Sequence, residues 1–307
     1  LVKYLFSFIF FINISFYLSL MFVPLNQTYT FSISEGDSLK RIFKNLEYED
    51  IYFPRVVKIM MNIFGIDKKL SQGSYVVTPK DSLFEVLKKL KDGQVVLKKF
   101  IIHEGSRQKE LFSQEVVTSF CIKNKIQLPC SLEGMLMPDV YLYDRNDELI
   151  KVINMALEAQ KKNIDTAWEK RAKLSSDYSK DKLLIIASIL EKESCENERK
   201  KISGVIYNRL KKNMLLQMDS TTIYGLKNFN GNLKKSHLRD SSVYNTYVHK
   251  GLPPGPISNP TMSSLIAAGQ PEMHKYLYFV ANGKCSHKFS TNYEDHLKAI
   301  EQFQLNR

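Results

Sequence analysis

The spacing of hydrophobic and polar residues changes character several times along the chain. Between Lys3 and Glu35 no residue is charged, and Tyr4–Leu25 is a run of 22 residues dominated by Phe, Ile, Leu, Tyr and Ser. At about 1.5 Å per residue such a run crosses the roughly 30 Å hydrocarbon layer of a membrane, where a helix pairs its own backbone groups. A cleaved signal peptide is the alternative. The run exceeds the roughly 7–15 apolar residues usual in a signal peptide. In addition, Phe22-Val23-Pro24-Leu25 offers no small-residue cleavage site. An uncleaved anchor is therefore expected, with Lys3, its only flanking charge, placing the N-terminus in the cytoplasm.

After the anchor the period shortens. Thr28–Ile33 alternates β-forming residues, Glu35-Gly36-Asp37-Ser38 makes a turn, and Ser38 suits the N-cap of a helix beginning at Leu39. A second helix is predicted over Arg55–Phe64, just after Pro54, and a strand over Ser74–Val77. Pro79-Lys80-Asp81-Ser82 then opens a helix whose Leu83, Val86, Leu87 and Leu90 share one face. This strand–helix–helix–strand–helix unit ends near Gly93. Its opening, Tyr29 followed by Glu35-Gly36-Asp37-Ser38-Leu39, resembles the start of LysM glycan-binding modules.

A strand at Val95–Ile102 and a helix near Gln108–Ser119 follow, then a long amphipathic helix over about Asp147–Lys173 carrying the only tryptophan, Trp168. From Asp181 onward Leu183, Leu184, Ile185, Ile186, Ala187, Ile189 and Leu190 make a helix apolar nearly all round, which predicts burial. The next helix, about Glu198–Lys212, places Ile202, Val205, Ile206 and Leu210 on one face. The pattern predicts an α+β protein in three parts: a cytoplasmic tip and transmembrane anchor over 1–27, a small LysM-like module over 28–95, and a larger mixed α+β domain over 96–307.

Composition narrows the chemistry. An apolar share of 44% with 25% charged residues excludes intrinsic disorder. The net charge of +12 invites a nucleic-acid reading, but the excess is spread evenly and only 9 of the 44 basic residues are Arg. No nucleic-acid partner is expected. Cys121, Cys130, Cys195 and Cys285 show no C-x-x-C pair and no zinc-ligand spacing; Cys121 and Cys130 are the nearest candidates for a disulfide, which nothing in the sequence requires. There is no H-E-x-x-H, Walker A, G-x-G-x-x-G or G-x-S-x-G signature, so neither metal nor cofactor is expected.

Candidate chemistry gathers beyond the buried helix. At 100° per residue Glu193 lies about 60° from the apolar centre near Leu190, Glu191 about 100° and Lys192 about 160°. Glu193 is thus the carboxylate that meets a partly apolar wall, where desolvation raises its pKa toward that of a general acid. Alternatively, Glu191–Glu198 is a charged helix end in water. Arg209, central on an apolar face, must snorkel, pair with a carboxylate or meet a ligand. Turn-rich polar stretches follow: Gln217–Gly225, Tyr244-Asn245-Thr246-Tyr247, and Gly251–Pro260, whose prolines and glycines predict a rigid presented loop. Their Tyr, Asn, Gln, Asp and Arg side chains suit a sugar, as they suit other polar substrates.

Ala187-Ser188-Ile189-Leu190-Glu191-Lys192-Glu193 with Asn208-Arg209-Leu210 resembles the endolytic murein transglycosylase (MltG, YceG-like) family. So do Leu216-Gln217-Met218-Asp219, Ile223-Tyr224-Gly225, Tyr244-Asn245-Thr246-Tyr247, Gly251–Ile257, and Leu277–Ala281 followed by His287 and Phe289. Gly73-Ser74-Tyr75 and Glu133-Gly134 before Pro138-Asp139 extend the likeness toward the anchor. The resemblance implies a single-pass inner-membrane protein with a periplasmic domain that cleaves the MurNAc–GlcNAc β-1,4 bond of nascent peptidoglycan strands. It implies no cofactor, proximity to glycan polymerases or penicillin-binding proteins, and Glu193 as the catalytic glutamate. Glu133, Asn208, Arg209, Gln217, Asp219, Tyr224, Tyr244, Asn245 and His287 would hold the sugar or tune Glu193. Three departures stand out: Ser194 where the family has Thr, Ser220 where it has Pro, and Cys285-Ser286 where it has a Gly-rich pair. A noncatalytic cell-wall-binding anchor and a hydrolytic muramidase are the rival readings.

Overall fold

The computed structural model describes residues 21–25, 28–34, 71–144, 149–173, 179–283 and 285–305, with isolated positions among the first twenty and Gly65. Most of the expected anchor, the Glu35–Ser38 turn and the helices expected from Leu39 and over Arg55–Phe64 lie outside the described residues. Among the described residues no helix is long and apolar enough to cross a membrane. The chain falls into two compact units: Leu1–Lys99 with Leu142–Glu148, and Phe100–Tyr141 with Leu149–Arg307.

In the first unit, β1 (Tyr29–Ile33) and β2 (Gly73–Val77) pair antiparallel, with Phe31 opposite Tyr75. Their rings stack with centroids 5.5 Å apart. Helix α1 (Leu83–Asp92) starts at Ser82, whose side chain accepts from the Glu85 N–H while Glu85 accepts from the Ser82 N–H; both ends of the capping box are satisfied. Val86, Leu87 and Leu90 bury the predicted face against Phe31, Ile33, Tyr75 and Val77. Met21 joins the same core, and Leu25 N–H donates to Asp81 O. The last part of the apolar N-terminal run, 21–25, thus packs on this unit rather than continuing a membrane span. At Tyr4, Phe8, Ile12 and Phe16 the chain is helical and the apolar side chains are exposed.

Strand β3 (Leu97–Ile102) pairs with β4 (Asp139–Asp144). Between them, the single helix expected near Gln108–Ser119 is two: α2 (Gln108–Leu111) and α3 (Gln114–Lys123), separated where Phe112 turns extended and Ser113 starts a new helix. A disulfide joins Cys121 to Cys130.

The second unit is built around α5 (Lys180–Glu193), begun by Ser179, whose side chain accepts from the Lys182 N–H. Every residue from Leu183 to Leu190 is buried. Around it pack α4 (Leu149–Glu169), α6 (Arg199–Lys211), which follows a 3-10 turn at Glu196–Glu198, and later α8 (Met262–Gly269). Between α6 and α8 lie α7 (Asp219–Gly225) and long ordered loops. An antiparallel hairpin, β5 (Tyr278–Gly283) and β6 (Ser286–Ser290), then leads into α9 (Tyr293–Ile300).

The Gly251–Pro260 loop is an internal brace rather than a presented loop. Ile257 N–H donates to Ser188 Oγ at 3.0 Å, Ser258 Oγ donates to Ser188 O at 3.0 Å, and Asn259 Oδ1 accepts from Leu136 N–H at 3.0 Å. Ser258 and Asn259 are fully buried, so such partners are required. Gly134 makes the close approach possible: at φ +75° it lies against Pro256, where a Cβ would collide.

Candidate active site

Helix α5 ends on Glu193, whose carboxyl borders a cavity of about 430 Å³. Arg209, Gln217, Asp219, Tyr247 and His287 line the same cavity. Glu193 Oε1 accepts from the Ser220 hydroxyl at 2.5 Å and from the Ser220 N–H at 3.2 Å. The other carboxyl oxygen has no protein partner among the described residues. Burial raises the Glu193 pKa above the usual carboxyl range; the Ser220 hydrogen bonds oppose this, the charge of Asp219 adds to it and that of His287 opposes it. The helix C-terminus also disfavours a negative charge. A carboxyl held this way keeps its proton to higher pH than an ordinary glutamate, with one oxygen anchored and the other open toward the cavity.

Glu191, which the helical wheel set further from the apolar wall, is enclosed as well. Its side chain is 2% exposed and pairs with Arg199 at 2.7 Å. Glu191 Oε2 accepts from both Thr261 N–H and Thr261 Oγ1 at 2.8 Å. The charged end of α5 is therefore divided by partners: Glu191 is bound at both carboxyl oxygens, and Glu193 at Oε1 alone among the described residues. Lys192 is exposed and reaches Gly105 O at 3.2 Å.

Arg209, which lines the cavity, is held by backbone carbonyls. Its guanidinium donates to the carbonyls of Leu277 (2.6 Å), Leu215 (3.0 Å) and Leu216 (2.8 Å), and to Gln217 Oε1 (3.2 Å). It ties the segment after α6 to the start of the β5–β6 hairpin and sets the cavity's rim. Gln217 sits at φ +52°, a conformation that turns the chain toward α7. Tyr247 donates to Asp219 Oδ1 at 2.7 Å, and burial, followed by Asp219, pushes its phenol pKa up.

The remaining expected residues do not border the cavity. Asn245, fully buried, accepts from Thr222 Oγ1 at 2.9 Å and donates to the carbonyls of Leu238 and Asp240. Thr246 reinforces it, its Oγ1 accepting from Met218 N–H at 3.0 Å. Asn245 thus positions α7, and through it Ser220 against Glu193. Asn208 donates to the carbonyls of His274 and Tyr276, fastening α6 to the chain entering the hairpin. Tyr224 and Tyr244 form a separate cluster, ring centroids 4.6 Å apart; Tyr224 donates to Glu133 Oε2 at 3.2 Å and Arg107 lies over its ring. Burial raises the Glu133 pKa, against the hydrogen bonds from Gln108 N–H and Tyr224.

Three features were missed by sequence reasoning. Ser220 stood out only as a departure, although it holds Glu193. Glu198 passed as part of a charged run, yet His287 Nδ1 lies 2.6 Å from Glu198 Oε2. A disulfide joins Cys195 to Cys285 across 90 residues, Cα atoms 5.2 Å apart. The one available signal was positional: each cysteine lies two residues from a site residue, Glu193 and His287. Among the described residues no three His, Cys, Asp or Glu side chains gather to hold a metal ion.

The YceG-like family model matches residues 31–302. The chain belongs to the YceG-like family. An endolytic murein transglycosylase of Bacillus subtilis is 36% identical over 190 residues, covering 62% of this chain and 52% of the relative. One from Streptococcus pneumoniae serotype 2 is 33% identical over 180 residues, covering 56% of this chain and 32% of the relative. The chain thus spans about half the length of the first curated relative and about a third of the second. A solved YceG-like protein from Listeria monocytogenes matches with a TM-score of 0.57 at 30% identity, covering 89% of this chain and 99% of that one.

Proposed function

We propose that this YceG-like protein is an endolytic peptidoglycan lytic transglycosylase that cleaves the MurNAc–GlcNAc β-1,4 bond of nascent strands and leaves a 1,6-anhydro-MurNAc end. The observation that carries the reading is Glu193: a half-anchored carboxyl with raised pKa, standing at a polar cavity. The names of the curated relatives support the substrate class. Ordinary glycosidases use two carboxylates about the scissile bond. Here Asp219, the other carboxylate of the cavity, is held by Tyr247. A muramoyl C6 hydroxyl that closes onto its own C1 removes the need for an activated water, because an oriented internal nucleophile has an effective molarity of up to about 10⁵–10⁸ M. Glu193 protonates the leaving oxygen and regains a proton that originates on the C6 hydroxyl, so no water is consumed. The Tyr224, Tyr244 and Glu133 cluster suits a further sugar of the strand, by ring stacking and hydroxyl hydrogen bonding.

A single-pass anchor with the larger unit outside the inner membrane, and a LysM-like first unit, belong to the same proposal. Exposed apolar side chains at positions 4, 8, 12 and 16 and two disulfides, which form in oxidising compartments, support that placement. Glycan polymerases and penicillin-binding proteins, which make the strands, are the expected neighbours.

The test is to incubate the full chain with peptidoglycan and weigh the soluble products. Anhydro ends, lost in Glu193→Gln, are the expected result. Products heavier by one water favour a muramidase, and binding without cleavage favours a noncatalytic anchor.

A further inference from the structure

His287 lines the cavity, paired with Glu198, without a part in the mechanism above. One carboxylate captures His287 twice: Glu198 Oε1 accepts from its backbone N–H at 3.3 Å and Glu198 Oε2 meets ring Nδ1 at 2.6 Å. A carboxylate only accepts, so the proton of the neutral ring is assigned to Nδ1, which leaves Nε2 as the basic nitrogen. Nε2 has no protein partner among the described residues, and His287 lines the same cavity as Glu193. The ring also packs edge to face on Phe279 at 5.3 Å, two residues before Ala281, its partner across the hairpin.

A second observation concerns how the pair is held. The disulfide between Cys195 and Cys285 joins the turn that carries Glu198 to the hairpin that carries His287. Covalent bond and hydrogen bond therefore clamp the same two segments, one immediately after Glu193 and one that brings His287 to the cavity. A base within a cavity, oriented through its other nitrogen by a carboxylate and sharing that cavity with a carboxyl group, is an arrangement used to move protons during bond exchange.

We propose that His287, oriented by Glu198, is the group that first receives the proton of the attacking hydroxyl, and that it returns this proton to Glu193. The inference rests on the transglycosylase reading. In the step, Glu193 gives its proton to the glycosidic oxygen as the C1–O4 bond breaks. The C6 oxygen forms the new bond to C1, and its proton passes to His287 Nε2. The imidazolium, paired with Glu198, then delivers that proton to the Glu193 carboxylate, restoring both groups. His287 is thereby a catalytic residue, while Glu198 and the disulfide are positioning elements.

The experiment compares the full chain with its His287→Ala, His287→Gln and Glu198→Gln variants on peptidoglycan, following kcat and KM separately. General-base assistance contributes roughly 10²–10⁴-fold. His287→Ala is expected to lose kcat on that scale with little change in KM, and added imidazole is expected to restore part of it. Glutamine at 287 keeps a donor for Glu198 and most of the volume, so it serves if the alanine variant does not fold; it should lose kcat alike. Glu198→Gln should lower kcat without abolishing it, and imidazole should not help. Retention of more than about a third of kcat in His287→Gln would overturn the proposal, as would a folded His287→Ala that imidazole leaves unchanged. Parent protein that releases no anhydro ends removes the underlying reading instead, so the two failures are distinguishable.

Discussion

Ser220 is the position from which the acidity of Glu193 can be changed without touching the carboxyl. Its hydroxyl and N–H both bind Glu193 Oε1 and favour the ionised form, against burial and the charge of Asp219. Alanine removes the hydroxyl and keeps the N–H. A hydrogen bond to a charged group contributes about 1.5–3 kcal/mol. At 1.36 kcal/mol per factor of ten, its loss moves the ionisation of Glu193 at least about tenfold toward the acid form. An enzyme that works through protonated Glu193 then keeps its activity to higher pH. Relative to its own maximum, Ser220→Ala should run at least about tenfold faster than the parent at a fixed point on the alkaline limb. Ser220→Pro, which has neither donor, should move the limb further. The assay is the initial rate of soluble fragment release from insoluble peptidoglycan across the pH range at constant ionic strength. If the limbs of the parent and a normally folded Ser220→Ala variant coincide, the hydrogen bond does not govern the acid.

Other expectations concern stability. Because folding raises the Glu193 pKa, the folded state binds its proton more tightly, and the stability this gives at low pH is lost as pH rises through the folded pKa. Glu193→Gln should therefore raise Tm above the parent's in alkaline buffer, with the gain fading toward acid; an equal gain at every pH would contradict this. Glu191→Ala strands buried Arg199 and should cost about 3–5 kcal/mol in denaturant unfolding. Cys195→Ser opens a loop of 90 residues whose closure stabilises by about 4–5 kcal/mol in the chain-entropy account, and should lower Tm accordingly. Gly134→Ala meets both φ +75° and the Pro256 ring and should destabilise by at least about 1 kcal/mol, measured the same way.

What could be read from the sequence was what local periodicity controls. The face Val86, Leu87, Leu90, the Ser82 start of α1, the buried run of α5 and the direction of Glu193 all depend on neighbours within one or two helical turns. Glu191 escaped because its partner Arg199 arrives from the next helix and Thr261 from 70 residues away. The Gly251–Pro260 segment was expected as a presented loop and is instead buried, because its partners are the backbone of Ser106 and Leu136 and both the hydroxyl and the carbonyl of Ser188. Asn208 and Asn245 were singled out by motif, and the structure gives them work one step behind the cavity, on backbone carbonyls that no sequence pattern reveals. The disulfide between Cys195 and Cys285 is a contact across 90 residues, beyond any local rule.

The enclosure of α5 also bears on how the molecule opens. Its central amides are expected to exchange with solvent only on unfolding of the second unit, and Ser220, on a seven-residue helix braced by loops, is expected to open at lower free energy. In such a partly opened state the acid stays where it is and its surroundings leave. Water would then reach the carboxyl, and its acidity would return toward that of an ordinary glutamate although the helix that bears it is intact. Slow exchange along α5 together with faster exchange at Ser220 would mark a site that is switched off by losing its environment, well before it loses its fold.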